Sequence, residues 1–182
     1  MAQDEKWEEI STALKGKGLP FQYKTVVEHN GHAVTIDMDL DPGGGFEGGF
    51  EFTVLTAPVP VQFTSLSAKV SDNDFRFALH DEKGLDRIGK FFGMEDVKLG
   101  YDELDRHVII KTNNKDVARE VFSDPETRQV FSTLKDFSLQ LTGDEEMNLE
   151  LMIDRLVDDP LELRSIFEAY ISVLEKLKKP GI

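Results

Sequence analysis

Apolar and polar residues alternate along two stretches, 21–28 and 33–40, on either side of Asn30-Gly31. Alternation with a period of two is typical of a β-strand that is buried on one face. Asn-Gly is the pair most typical of a two-residue type I′ turn, which would place His29 opposite His32. In this arrangement the residue numbers of every cross-strand pair add up to 61. In that register the apolar residues share one face, which predicts an antiparallel ribbon lying on a core.

A second pattern, with apolar residues three and four positions apart, predicts amphipathic helices. It runs through residues 4–15, where Trp7, Ile10 and Leu14 form one stripe. Helix-start signals recur in the second half of the chain, where an Asn or Asp cap precedes the first turn and Pro often follows it. They predict helices beginning after Asn114, Asp124 and Asp159.

Shorter alternating runs predict the remaining strands. Phe75 to Leu79 alternates cleanly, and Val61, Phe63 and Ser65 alternate more weakly. The other runs lie at 97–101, 107–112, 137–141 and 147–153, and residues 84–92 have the spacing of a short helix. This order predicts an α+β fold, an antiparallel β-sheet with helices packed on it. We expect one domain over 1–182, with a possible sub-division near 93–103.

Charge and composition narrow the classes of function. There are 35 acidic and 21 basic residues, and a net charge of −14 disfavours nucleic-acid binding. The chain has no cysteine, which excludes disulfides and zinc–thiolate sites. No signal peptide and no membrane-spanning run is visible, so we expect a cytoplasmic protein without membrane insertion.

Three evenly spaced carboxylates, Asp37, Asp39 and Asp41, could bind a cation. An EF-hand loop that begins at Asp37 would need Gly at its sixth position and Glu at its twelfth. The sequence has Pro42 and Gly48 there. Alternation places the three aspartates on the solvent face of the second strand, and adventitious cation binding is the alternative.

The segment that follows, residues 43–49, contains the spacing G-x-G-x-x-G. In a dinucleotide-binding fold this loop opens a helix, whereas here a strand-like run follows. No Lys-Ser/Thr ending suits a phosphate loop either. We therefore interpret the segment as a connection between strands. Phe46 and Phe50 within it could anchor a binding partner or fold back over the sheet.

Four histidines are candidates for a ligand or a base. His29 and His32 flank the hairpin turn, close enough to share a metal ion, although no third ligand is evident nearby. His107 is predicted to be partly buried, on the same face of a strand as Ile109. His80 ends a strand and is predicted to be solvated. No serine lies in a G-x-S-x-G nucleophile elbow.

The stretch LDRHVIIKTNNKDVAREVFSDPETRQVFSTLKDFSLQL, followed by MNLELMI and a final helix, resembles the C-terminal module of a family of uncharacterised bacterial proteins. The resemblance covers residues 104–177. The shared pattern is an aspartate and a hydrophobic strand ending in Thr-Asn-Asn, then a helix, a second helix that starts with Pro, a hairpin and a last helix. It implies a shared fold and a bacterial source, and it carries no catalytic motif.

No catalytic set assembles from these motifs, and no cofactor is expected. We expect a non-catalytic protein-interaction or self-associating module, with a protein partner or a homodimer formed through a sheet face or edge. One alternative is a small-molecule-binding or metal-assisted hydrolytic protein that uses the aspartates or the hairpin histidines. Another is an acidic secretion-type chaperone.

Overall fold

The computed structural model describes residues 3–41, 61–71, 74–81, 94–143 and 146–178. Five helices form within these ranges, and the longest is the last one. They are α1 (Gln3–Lys15), α2 (Asp102–Asp105), α3 (Lys115–Val121), α4 (Pro125–Thr133) and α5 (Pro160–Leu177).

Seven strands form one sheet, and every neighbouring pair is antiparallel. The strands are β1 (Phe21–His29), β2 (His32–Asp41), β3 (Val61–Val70), β4 (Phe77–His80), β5 (Ile109–Thr112), β6 (Phe137–Thr142) and β7 (Met147–Ile153). Their order across the sheet is β1-β2-β3-β7-β6-β4-β5. The predicted α+β fold with an antiparallel sheet is confirmed.

One face of the sheet, which we call the core face, is apolar and carries the helices. The ladder register aligns Ile36, Leu66, Leu151, Leu139 and Leu79 across five neighbouring strands, and all five are buried. Helix side chains pack onto this layer, and aromatic rings join the two. Phe131 of α4 stacks on Phe137 of β6, with ring centroids 5.8 Å apart.

The opposite face, which we call the polar face, follows the other set of alternating residues. One row across the ladder comprises Lys24, Asp37, Ser65, Met152 and Ser138. Burial on this face increases from β1, where Lys24 is exposed, towards β6, where Ser138 is buried. With respect to the described residues, this face is therefore most open to solvent at the β1–β2 end.

Local signals in the sequence predicted the elements well. The first hairpin has the predicted register, since every β1–β2 pair sums to 61. Asn30 and Gly31 have positive φ angles of 49° and 78°, as a type I′ turn requires. Asn114, Asp124 and Asp159 are the N-caps of α3, α4 and α5, and each side chain accepts a backbone hydrogen bond.

The strand predicted from Val61, Phe63 and Ser65 forms as β3. In β3 the buried residues are Thr64, Leu66, Ala68 and Val70, whereas Val61, Phe63 and Ser65 lie on the other face. Pairing with β7 decides this, because it places Leu66 opposite Leu151 in the core. The alternation at 61–65 was too weak to reveal it.

Residues 97–101 do not form a strand. The Asp105 carboxylate accepts hydrogen bonds from the backbone N–H groups of Leu99 and Gly100, at 3.0 and 2.8 Å. These bonds turn the chain into α2. The segment that precedes residues 97–101 pairs with β5 only through a single β-bridge, between Asp96 and Lys111. The helix predicted at 84–92 lies outside the described residues.

Candidate functional site

The first strand of the sheet presents a long open edge. β1 has nine residues, and its only ladder partner among the described strands is β2. His29 and His32 flank a two-residue turn and therefore form a hydrogen-bonded pair, and such pairs alternate along the ladder. The odd-numbered residues of β1 thus bond to β2. The even-numbered ones, Gln22, Lys24, Val26 and Glu28, direct their N–H and C=O groups outward, and we call these four residues the β1 edge.

The side chains of the β1 edge lie on the polar face and are exposed. Val26 is 49% exposed, although it is a large apolar residue. The Lys24 amine lies 2.8 Å from the Asp37 carboxylate. Glu28 is opposite Ala33 and makes no ion pair within the described part of the chain. The edge thus combines one lysine, one glutamate and one exposed apolar residue.

The other edge of the sheet is shorter and partly covered. β5 has four residues, and the Val97 N–H donates to the Ile110 carbonyl at 2.9 Å. Lys111 donates to the Met94 carbonyl at 2.9 Å and to the Asp96 carboxylate at 2.7 Å. Residues 94–97 therefore shield β5. Within the described ranges, β1 is the long edge left open to solvent.

Helix α1 supports β1 from the core face. The Gln3 amide nitrogen lies 2.7 Å from His29 Nδ1, and the Tyr23 hydroxyl donates to Glu9 at 2.8 Å. Burial and this hydrogen bond raise the pKa of Tyr23 to about 12. The phenol is therefore a neutral donor at physiological pH. These contacts attach both ends of β1 to α1.

The hairpin histidines are cross-strand neighbours, as predicted, and both contribute to packing. His29 meets the Phe167 ring edge-on, with centroids 6.0 Å apart. His32 is buried, and this burial lowers its pKa. The nearby Lys178 amine lowers the pKa further, to a smaller extent. Three metal-ligating side chains converge nowhere in the described ranges. Metal binding by His29 and His32 stays a prediction.

The three aspartates follow the second strand away from the hairpin turn. Asp37 pairs with Lys24, and Asp39 accepts a hydrogen bond from Gln22 at 2.9 Å. Asp41 ends the strand and is exposed. His32 and Asp37 are five residues apart, or roughly 17 Å along a strand. The two predicted sets of metal ligands therefore do not come together.

The predicted binding residues Phe46 and Phe50, with the glycine-rich segment 43–49, lie outside the described residues. Their roles stay predictions.

Sequence reasoning missed a buried polar cluster at the end of β4. His80, Asp81 and Ser138 are all buried, whereas His80 was predicted to be solvated. The prediction was wrong because β4 is an inner strand that is buried on both faces. Phe75 to Leu79 was interpreted as an alternating strand, but its last three residues, Phe77-Ala78-Leu79, are all apolar, and this continuous run is the signal that could have revealed the burial.

This cluster has the residue types of a nucleophilic site but lacks the geometry. His80 lies opposite Ser138 in the ladder, and its Nδ1 is 2.6 Å from the Asp81 carbonyl oxygen. His80 Nε2 and Ser138 Oγ have no hydrogen-bond partner among the described residues. A serine nucleophile needs a hydrogen bond to its base. The cluster therefore gives no support for hydrolysis.

Two further features concern the alternative functions. His107 is exposed in the turn after α2, so the prediction of partial burial is wrong; the strand begins only at Ile109. An open groove of about 560 Å³ lies between α1 and α5, with Asp4, Glu8 and Arg164 in its lining. Its charged rim and open shape differ from the concave, mostly apolar pockets that bind small molecules.

Comparison of the chain with protein families, curated proteins and solved structures gives no match. The resemblance of residues 104–177 to a bacterial module therefore stays a prediction. In the described part of the chain, no helix has the length and apolar character needed to cross a membrane.

Proposed function

We propose that this protein is a non-catalytic interaction module that binds an extended segment of a protein partner along the β1 edge. The observation that carries the proposal is the contrast between the two ends of the sheet. Among the described residues nothing pairs with the outer side of β1 over its nine residues, whereas residues 94–97 shield β5. Strand addition would extend the sheet beyond β1.

The chemistry of the β1 edge suits this mode of recognition. Backbone groups of these four alternate residues supply hydrogen bonds without regard to partner sequence, and the side chains of the same residues select the partner. Val26 offers an apolar contact, and Lys24 and Glu28 offer charges of both signs. The contacts from α1 to Tyr23 and His29 reduce the cost of ordering the strand. The location we propose is the cytoplasm.

A proline substitution at position 26 tests the proposal. The Val26 N–H points away from β2, so Val26→Pro removes an outward donor and leaves the β1–β2 hydrogen bonds in place. Val26→Ala is the matched control, because it shortens the same side chain and keeps the N–H group. Both variants are first compared with the wild type by circular dichroism and thermal melting.

The probe is a displayed library of random linear peptides, selected on the wild-type protein. We expect selected peptides to bind the wild type and Val26→Ala, and to lose most of their affinity for Val26→Pro in fluorescence anisotropy. Amide NMR shifts should concentrate at residues 22–28. Peptides that bind Val26→Pro as well as the wild type, with shifts elsewhere, would refute the proposal.

A further inference from the structure

We infer that the segment bound by the β1 edge is the β1 strand of a second copy of this chain. The two strands would pair antiparallel around a two-fold axis and join the two sheets. The inference rests on the proposed strand addition and names its partner. Its basis is the order of charged and apolar residues along the edge.

Backbone geometry limits the possible registers. Only even-numbered residues of β1 point outward, so a hydrogen-bonded ladder between two copies pairs even with even. In the register where paired numbers sum to 52, Lys24 lies opposite Glu28 of the second copy. The two-fold axis repeats that contact with the copies exchanged. Val26 then lies opposite Val26, which removes an exposed apolar side chain from water.

The neighbouring registers are less favourable, because they pair like charges or place Val26 opposite a charged residue. A sum of 48 places Lys24 against Lys24, and a sum of 56 places Glu28 against Glu28; like charges directly opposite are destabilising. Sums of 50 and 54 place Val26 against Lys24 or Glu28. A sum of 52 is therefore the register in which every charged or apolar residue at the centre meets a complementary one.

The exposure and the existing contacts of Lys24 and Glu28 within one copy favour this pairing. Glu28 makes no ion pair within the described residues. The Lys24 side chain is 68% exposed although it contacts Asp37, so it can reach a second carboxylate. A lysine alone on an edge strand discourages pairing. A lysine and a glutamate at positions that a two-fold axis exchanges favour it instead.

The net charge of −14 opposes association of two copies at low ionic strength. At a salt concentration of about 0.15 M the Debye length is about 8 Å. Long-range repulsion is then largely screened, whereas side chains in contact are screened less. The measurements therefore belong at this salt concentration, with the full chain.

The first experiment reverses the charges one at a time. Sedimentation equilibrium over a range of concentrations should show the wild type passing from 20.6 kDa towards twice that mass. Lys24→Glu and Glu28→Lys should each dimerise more weakly, on the order of tenfold, because each places like charges opposite at two symmetric contacts. An equimolar mixture of the two variants should dimerise like the wild type, since each acidic position then faces a basic one. The double variant should do the same.

The second experiment tests the register with a disulfide. The chain has no cysteine, so a single introduced thiol reports only on its own position. Val26→Cys should form a dimer under mild oxidation, because hydrogen-bonded antiparallel partners have Cα atoms about 5.5 Å apart. Lys24→Cys is the control. In this register its two copies lie roughly 14 Å apart along the strands, too far for a disulfide.

The outcomes separate the two proposals. Recovery in the mixture, together with cross-linking at 26 and not at 24, supports the inference. A wild-type mass that stays at one chain at all concentrations overturns it, yet peptides dependent on the β1 edge would still support strand addition. Dimers that persist in both single variants, or that cross-link at 24, would show that the copies meet elsewhere or in another register.

Discussion

The Thr64 hydroxyl accepts a hydrogen bond from the backbone N–H of Val157 at 2.8 Å, and both residues are buried. The same hydroxyl donates to the Arg155 carbonyl at 3.0 Å. One side chain of β3 thus satisfies two backbone groups in the loop between β7 and α5. That loop positions the longest helix on the core face.

We expect Thr64→Val to lower the free energy of unfolding by about 2 kcal/mol, because it leaves a buried N–H without a partner. Ser138→Ala is the comparison, since Ser138 Oγ has no partner among the described residues. Its loss should be neutral or raise stability by up to about 1 kcal/mol. Urea unfolding measures both changes. Equal destabilisation by the two variants would contradict the assignment of roles.

The β1–β2 turn requires left-handed backbone at Gly31, where φ is 78°. Gly31→Ala should destabilise the protein by about 1–2 kcal/mol, because a Cβ makes this conformation unfavourable. Space is not the cause, since an added Cβ meets nothing within 4 Å. Gly18→Ala also has open space and lacks a left-handed φ, so we expect it to be neutral or slightly stabilising. Thermal melting of the two variants checks the contrast.

Arg128 stabilises the helical layer through its planar guanidinium, which lies over the Tyr101 ring. The guanidinium carbon Cζ is 4.0 Å from the ring centroid. The Arg128 Nη1 also donates to the carbonyls of Phe122 and Ser123 at 3.0 and 2.7 Å. Arg128→Met keeps an apolar side chain there and should cost about 2 kcal/mol through these lost contacts.

Two further variants test whether the Arg128 geometry is the cause. Lysine cannot place a guanidinium over the Tyr101 ring or reproduce the fork of donors, so Arg128→Lys should recover little stability. Arg106→Met is the control for loss of a surface charge. Arg106 pairs with Asp102 in solvent, and its replacement should change urea stability by less than about 0.5 kcal/mol. A comparable loss at Arg106 would refute the specific role of Arg128.

Asp124 should make stability depend on acid pH. Hydrogen bonds from the Thr127 hydroxyl and N–H, at 2.6 and 2.8 Å, lower the pKa of the Asp124 carboxyl below its ordinary value of 3.8. The folded state therefore favours the charged form. Its contribution is complete above the ordinary pKa and disappears as the pH falls through the lowered one.

Asp124→Asn keeps a capping oxygen and removes the charge, so it isolates this effect. At neutral pH we expect the variant to be about 0.5 kcal/mol less stable, since solvent screens the charge. The difference should shrink as unfolding curves are taken from about pH 6 to about pH 2.5. A difference that stays constant over that range would contradict the assignment.

Predictions from sequence were most successful where the evidence was local. Asn30-Gly31 fixed the hairpin register, because turn conformation and alternation act over adjacent residues. The caps at Asn114, Asp124 and Asp159 were found for the same reason. Predictions failed at 97–101, where the Asp105 carboxylate competes with strand pairing for backbone N–H groups.

The candidate site was predicted only in part. Alternation correctly placed Asp37 and Asp39 on the polar face with Lys24 and Gln22. Alternation could not show that β1 is an edge strand, because strand order depends on contacts between distant segments.

Sequence patterns were enough to establish the type of fold, the first hairpin with its two faces, and the starts of the three later helices. Each of these depends on residues within a few positions of one another. Tertiary packing was needed to establish the strand order, the burial of His80 and, with respect to the described residues, the open β1 edge. A strand becomes an edge, or a polar side chain becomes buried, according to which distant segments pack beside it.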